Sequence, residues 1–463
     1  MKLDEKWLVL VIICVGIFMS TLDGSILNIA NPIIAKSISV SMQQIQWVVT
    51  AYMLVITASL LFFGKLGDKV GSSKIYTYGF LVFTIGSFLC SLSPSLLFLI
   101  SARVLQAFGA SMLMATGIGI VSNAFPSDER GKALGITGSV VGVGNMTGPS
   151  LGGLLMSHFN WPLIFLINVP VGLIAFYLAN KYLPHETNRK ADSGYDPIGT
   201  ILFAMASVML VLSLSSKHGI NVTLLYPGLI LILMFYLFER KQPHPMLDFG
   251  LLKIRNFVHG NILGAASYCT QTSVYFLLPF YLENLLRYSP ASSGLLMTIL
   301  PVTMAVTAPL AGTLSDRISP QRLTPVSFVL MTFAYLILST LDSNSSISII
   351  IGGLLFLGIG LGMFGSPNSS SVLGSIPREK AGYAGGFMAT NRNLFYSIGT
   401  ASSVSIFSLF LNRELPNGGY ITAYASAIDS VYRIAAFITL LALFLALADA
   451  FHAKNTQKSL ERL

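Results

Sequence analysis

Fourteen apolar stretches follow one another along this chain, and nearly all of its charge falls between them. We read them at 7–31, 43–64, 75–92, 95–123, 133–157, 161–183, 197–216, 223–239, 257–284, 291–312, 323–341, 347–373, 382–411 and 430–450. A helix needs about 20 mostly apolar residues to cross the hydrocarbon of a bilayer, and most of these stretches reach that length. The chain is 53% hydrophobic and only 10% charged, whereas soluble domains average about 25% charged. A soluble fold of this length would divide into domains with polar coats. The fold class that follows is an all-α polytopic membrane protein of 14 transmembrane helices, with short loops and no sizeable soluble domain.

The net charge of +9 does not indicate nucleic acid, because the basic residues gather on no single face or tail. They recur in small groups on one side of the spans. Of the 28 Lys and Arg, only Lys36, Lys217, Arg287, Arg413 and Arg433 fall on the other side; Arg103 and Arg392 lie deep within spans, whereas Lys181 and Arg433 stand at span ends. The positive-inside rule therefore orients all spans consistently, with both termini cytoplasmic in a cell membrane, and a bacterial inner membrane is expected. The first stretch is too long for a signal-peptide core and is interrupted by Asp23, so it is read as a span. Cys14, Cys90 and Cys269 sit in spans and imply neither disulfides nor a metal site. The six histidines lie mainly in loops and form no catalytic constellation, and no nucleotide-binding G-x-x-x-x-G-K-[ST] occurs. The chain is thus read as a carrier rather than an enzyme, with no cofactor beyond an ion gradient.

One internal repeat organises the spans. Gly64-Lys-Leu-Gly-Asp68-Lys69-Val-Gly-Ser-Ser-Lys74 follows the second span, and Gly312-Thr-Leu-Ser-Asp316-Arg317-Ile-Ser-Pro-Gln-Arg322 follows the tenth. Glycine, leucine, aspartate and a basic residue recur at the same spacing. Two six-span halves place each segment in a loop between the second and third helices of its half. The expected division is 1–183 for an N-terminal bundle, 184–256 for a two-helix insertion with linkers, and 257–463 for a C-terminal bundle. Repeated halves are one architecture by which transporters alternate access to a site at their interface.

Several stretches resemble the fourteen-spanner drug:proton antiporters of the major facilitator superfamily. Leu22-Asp23-Gly-Ser-Ile-Leu-Asn28-Ile-Ala30-Asn-Pro32 is similar to that family's first-helix motif, and Gln46-Trp47-Val-Val-Thr-Ala-Tyr52-Met-Leu54 to the start of its second helix. The segment from Gly64 resembles motif A, and Arg103-Val-Leu-Gln106-Ala-Phe-Gly109 resembles motif B. Gly142-Val-Gly144-Asn145-Met146-Thr-Gly148-Pro149-Ser-Leu-Gly152-Gly153 resembles the antiporter motif C. Phe165-Leu-Ile-Asn168-Val-Pro170-Val-Gly172, and Asn391-Arg392 followed by Gly399, match further family stretches. The chain departs from the pattern at Asn31, where an apolar residue is usual, at Ala107, which replaces a glycine, and at Ser72-Ser73, which dilute a basic run.

Asp23 is a carboxylate inside a span with no Lys or Arg close in sequence. Such residues are costly in a bilayer and usually face a cavity where they work. Burial raises a carboxylate's proton affinity, so Asp23 is expected to exchange a proton, or a cationic cargo, near neutral pH. Arg103 and Arg392 cannot shed their charge and each needs a partner or a wet cavity. The resemblance implies that Arg103, with Gln106, belongs to the conformational and proton machinery; we expect Arg103 to sense the protonation of Asp23, with a purely structural role as the competing reading. Arg392, with Asn391 and Asn393, either lines the cavity or braces helices. The glycines of motif C, with Pro149, form a small-residue stripe suited to close helix contact, and the resemblance implies a sealing role between the halves. It also implies a cytoplasmic latch of Gly64, Asp68, Lys69 and Arg130, with a weaker copy at Asp316 and Arg317. Solvated charge is the competing reading of that set.

Candidates for an apolar, aromatic cargo cavity are Met112, Met114, Asn145, Met146, Tyr268, Gln271, Tyr275, Phe276, Met297, Met363, Phe364 and Asn368, with Asn28, Gln106, Asn391 and Arg392 as polar members. A single deep carboxylate argues for coupling by about one proton and for neutral, zwitterionic or monocationic cargo. The expected activity is proton-coupled export of amphipathic drugs by a monomer that touches lipid and small molecules. The alternatives are export of one dedicated lipid, peptide or metabolite, or coupling to sodium held by Asp23 with Asn28 and Ser25. A sensor built on the carrier fold is a third class.

Overall fold

The computed structural model of the chain describes residues 3–126, 129–184, 196–215, 221–242, 249–377, 381–416 and 419–460. Among them are fifteen α-helices and no strand: α1 (Leu3–Ser37), α2 (Met42–Val70), α3 (Ser72–Ser91), α4 (Leu96–Ala124), α5 (Arg130–His158), α6 (Leu163–Leu166), α7 (Asn168–Tyr182), α8 (Pro197–Leu214), α9 (Val222–Glu239), α10 (Arg255–Phe280), α11 (Pro290–Ile318), α12 (Pro320–Ser339), α13 (Ile347–Gly374), α14 (Ala381–Glu414) and α15 (Tyr420–Leu460). Nine helices among the described residues are long and apolar enough to cross a membrane, or ten if α2 with its 45° bend counts as one span. Every predicted span has a helix at its place. The ends differ, because helices propagate past the apolar run wherever capping allows. Ser41 caps α2 through a reciprocal bond with Gln44, and Ser95 and Ser346 cap α4 and α13.

One feature of the predicted layout changes. The sixth span, read as 161–183, is present as the apolar run Leu163–Tyr182, in which only the hydrogen-bond ladder is interrupted, because Pro170 has no N–H to offer the Leu166 carbonyl; the Ile167 backbone stays helical. The motif A segment, by contrast, is not a loop. Helix α2 runs through Asp68 and Lys69 to Val70, one residue with positive φ (Gly71, φ 110°) turns the chain, and α3 begins at Ser72. The repeat does the same. Asp316 and Arg317 end α11, Ser319 turns at φ 79°, and α12 starts at Pro320.

The chain forms two compact units. The first comprises Met1–Leu214, Ile220–Leu247 and Ser289–Leu295. In it α1 packs on α5, α3 on α4 and on α7, and α1 on α7. The second comprises Ser215–Gly219, Asp248–Tyr288 and Leu296–Leu463. There α10 packs on α14, α12 on α13 and on α15, and α10 on α15. The same partner scheme is used twice, as the sequence repeat requires.

The inserted pair α8–α9, expected as a separate stretch, packs on α2 within the first unit. Lys65, from the repeated segment, lies in electrostatic contact with Glu239 and Asp196 of this pair. Both acids are buried, so the carboxylates lie close to a cation, as burial demands.

Candidate coupling and cargo sites

In the first unit Asp23 and Arg103 are both about fully enclosed, at 1% exposure each. The Arg103 Nη1 donates to Asp23 Oδ2 at 2.5 Å and to Gln106 Oε1 at 2.6 Å. Gln106 Nε2 donates to Asp23 Oδ1 at 2.8 Å, and Asn168 Nδ2 reaches the same oxygen at 3.4 Å. Arg103 also donates through Nε to the Val48 carbonyl and lies over the Tyr52 ring, 3.9 Å from its centre, with Phe165 at 5.7 Å. Gln106 further donates to Ser87 Oγ at 2.7 Å. The cation that Asp23 lacks in its own sequence neighbourhood is thus supplied 80 residues along the chain.

Local structure makes this closure possible. A Cβ at Gly86 would stand 2.6 Å from the Gln106 Cα, and one at Gly109 would meet the Phe83 backbone, so α3 and α4 touch backbone to backbone. Asn168, in the first turn of α7, reaches Asp23 with its amide. Four stretches singled out for family resemblance (around Asp23, Tyr52, Arg103 and Asn168) converge on one carboxylate. Ser87 carries no such signal and was not anticipated. Tyr52, Phe165 and Asn168 had the signal but no chemical reason to be chosen from sequence.

The motif C glycines face α1. Gly144 lies on Thr21, Gly148 on Ser25 and Gly152 on Ile26, while Gly142 has open space around it. The Ser25 hydroxyl donates to the Leu22 and Gly144 carbonyls, at 3.1 Å each, and is turned away from Asp23. Gly153 alone meets a different partner, Pro290 and Gly294 in the first turn of α11, where the Pro149 carbonyl also lies. Most of the stripe therefore binds α5 to α1 within the first unit. Asn28 and Met146 are half-buried and Asn145 is exposed.

In the second unit the predicted cargo residues divide. Phe276 is 2% exposed and packs on Phe280, and Met297 and Phe364 are buried too, so these are packing residues. Tyr268 and Tyr396 meet edge to face at 5.5 Å, and the Tyr396 hydroxyl donates to Gln271 Oε1 at 3.2 Å. Gln271 Nε2 points to the Met304 sulfur, and Tyr275 is half-buried beside it. Asn391 Nδ2 donates to the Asn261 carbonyl and Asn368 Nδ2 to that of Gly260. Asn391 and Asn368 thus brace α10 against α14 and α13. Arg392 is half-buried next to Tyr268 and Tyr396. Gly399 brings α14 onto the Cys269 carbonyl of α10.

Asp68, Lys69 and Arg317 are exposed at helix ends, and Gly64 is half-buried in α2. The side chains of Arg130 and Asp316 lie outside the described residues. The beginning of α1 is tied elsewhere: buried Lys6 pairs with Glu129 and lies over Phe125, 5.6 Å from its centre.

A helix-pairing scheme used twice by long apolar helices, with a buried charge cluster in the first unit, defines a polytopic membrane protein. The sequence profile of the Major Facilitator Superfamily matches residues 13–400, and the chain belongs to that superfamily. It is 49% identical over 458 residues to the riboflavin transporter RibZ of Clostridioides difficile, spanning 99% of this chain and 100% of that protein. It is 30% identical over 411 residues to the multidrug resistance protein Stp of Mycobacterium tuberculosis, 86% of this chain and 75% of that one. Among solved structures, a bacterial homologue of the human lysosomal transporter Spinster superposes with a TM-score of 0.70 at 14% identity, covering 96% of each chain. That likeness concerns the fold.

Proposed function

We propose that this chain is a secondary transporter for one dedicated planar, hydrogen-bonding metabolite of the riboflavin type, working by alternating access and coupled to protons. The observation that carries the reading is the 49% identity to a riboflavin transporter along that protein's whole length. The site chemistry agrees: tyrosines and an amide in the second unit offer ring contacts and hydrogen bonds rather than a negative charge for a cationic drug. Fourteen crossings with both termini cytoplasmic, in a cell membrane and as a monomer, complete the reading. It is supported by the coincidence of each apolar stretch with a helix and by the one-sided distribution of Lys and Arg.

Coupling falls to Asp23 and Arg103. Both Asp23 oxygens accept hydrogen bonds, so a proton arriving there displaces Arg103 or Gln106. A displaced guanidinium must find new acceptors, which ties protonation to movement of α4 against α1. Proton-coupled export of amphipathic drugs, neutral, zwitterionic or monocationic, is the second reading. It is favoured by the 30% identity to a multidrug resistance protein.

The test is riboflavin flux in proteoliposomes holding the purified protein, under an imposed pH difference and again with a protonophore. Protonophore-sensitive accumulation of riboflavin, with ethidium left behind, supports the first reading. Ethidium accumulation without riboflavin movement replaces it with the second, and the sign of the productive gradient gives uptake or export.

A further inference from the structure

Arg392 is the odd charge of the second unit. It stands one helical turn before Tyr396 on α14, so the two side chains share a face. Its guanidinium lies within electrostatic reach of both Tyr268 and Tyr396. The side chain is half-buried, and among the described residues it meets no carboxylate and donates no hydrogen bond. A guanidinium carries five N–H donors and keeps its charge, so an unmatched one inside a membrane protein needs acceptors from elsewhere. The two tyrosines meet edge to face, Tyr396 donates to Gln271, and among the described residues no carboxylate pairs with Arg392.

We propose that Arg392 reads the acceptor edge of the cargo, donating in fork fashion to a carbonyl oxygen and the unprotonated ring nitrogen beside it on an isoalloxazine-type ring. Tyr268 and Tyr396 contact the ring system beside it. This assignment rests on the riboflavin-type reading and deepens it by naming the residue that selects the cargo. A planar acceptor pair matches the guanidinium fork as a carboxylate does. The same cation repels a positively charged ring, so Arg392 favours neutral or anionic planar molecules over cationic ones.

The test is fluorescence titration of the full-length protein in lipid nanodiscs, with riboflavin and with ethidium as probes. A charge-assisted pair of hydrogen bonds lost without replacement weakens binding by about 10- to 100-fold. Arg392→Gln is expected to raise the riboflavin Kd by that factor and to leave ethidium binding equal or tighter. Arg392→Lys keeps the charge but loses the fork, and is expected to weaken riboflavin by about 10-fold. The Lys variant carries the test if the Gln variant does not fold. A riboflavin Kd unchanged in both variants, with wild type binding riboflavin, overturns the assignment alone. Wild-type protein that binds ethidium and not riboflavin overturns the functional reading and this assignment with it.

Discussion

The two units use the same helix-pairing scheme but treat their intramembrane arginines in opposite ways. Arg103 is sealed in and saturated: it holds Asp23, Gln106 and the Val48 carbonyl and lies on Tyr52. Arg392 is half-buried beside two tyrosines and has no carboxylate among the described residues. A duplicated architecture has thus kept the backbone and divided the chemistry. One unit stores a charge pair whose making and breaking can drive a conformational step. We propose that the other presents a charge that a ligand completes.

The sharpest way to break this comparison is to truncate each arginine. Arg103→Ala leaves the Asp23 carboxylate buried without its cation and is expected to cost about 3–5 kcal/mol. Arg392→Ala removes a cation with no internal ion pair and is expected to cost less than about 1 kcal/mol. Thermal unfolding in detergent compares them, and equal losses would remove the distinction.

The next largest effect concerns helix contact. Gly148 lies against Ser25 of α1, and Gly399 against the Cys269 carbonyl of α10, at corresponding helix pairs. Valine at either position is expected to cost about 1–3 kcal/mol through overpacking, while Gly142→Ala, in open space, is expected to be silent. A silent Gly148→Val would show that α1 and α5 are not held as described.

Tyr52→Leu removes the ring under Arg103 while keeping an apolar side chain. It is expected to lower stability by about 0.5–2 kcal/mol and to slow transport without abolishing riboflavin binding. The smallest effect sharpens the repeat itself. Gly71 and Ser319 occupy equivalent one-residue turns with positive φ. Ser319→Gly is expected to gain about 1 kcal/mol by relieving a backbone conformation that suits glycine, and Gly71→Ser to lose a similar amount.

Much of this was readable before folding. Apolar runs locate the helices because a bilayer demands length and lack of charge. A charge inside such a run is so unfavourable that Asp23, Arg103 and Arg392 stand out. What was not readable depends on closure between distant segments. Nothing local to Asp23 announces Arg103 as its partner, and Tyr52 and Phe165 are ordinary aromatics until α2 and α6 bring them to the guanidinium. Phe276 is the converse: its composition suits a cargo site, but its helix turns it into the packing.

The helix ends were misplaced because apolarity marks the bilayer, whereas caps and single turning residues such as Gly71 end the helix. The buried acids Asp196, just before one predicted span, and Glu239, the last residue of the next, give no sign in sequence that Lys65 meets them.

The division of labour between the units is tested most directly by measuring riboflavin binding and gradient-driven riboflavin accumulation side by side in Asp23→Asn and Arg392→Gln. The account predicts that Asp23→Asn binds riboflavin near the wild-type Kd but fails to accumulate it. It predicts that Arg392→Gln loses binding by about 10- to 100-fold and transports in proportion to what it binds. Uphill accumulation by Asp23→Asn, or undiminished binding by Arg392→Gln, would contradict it.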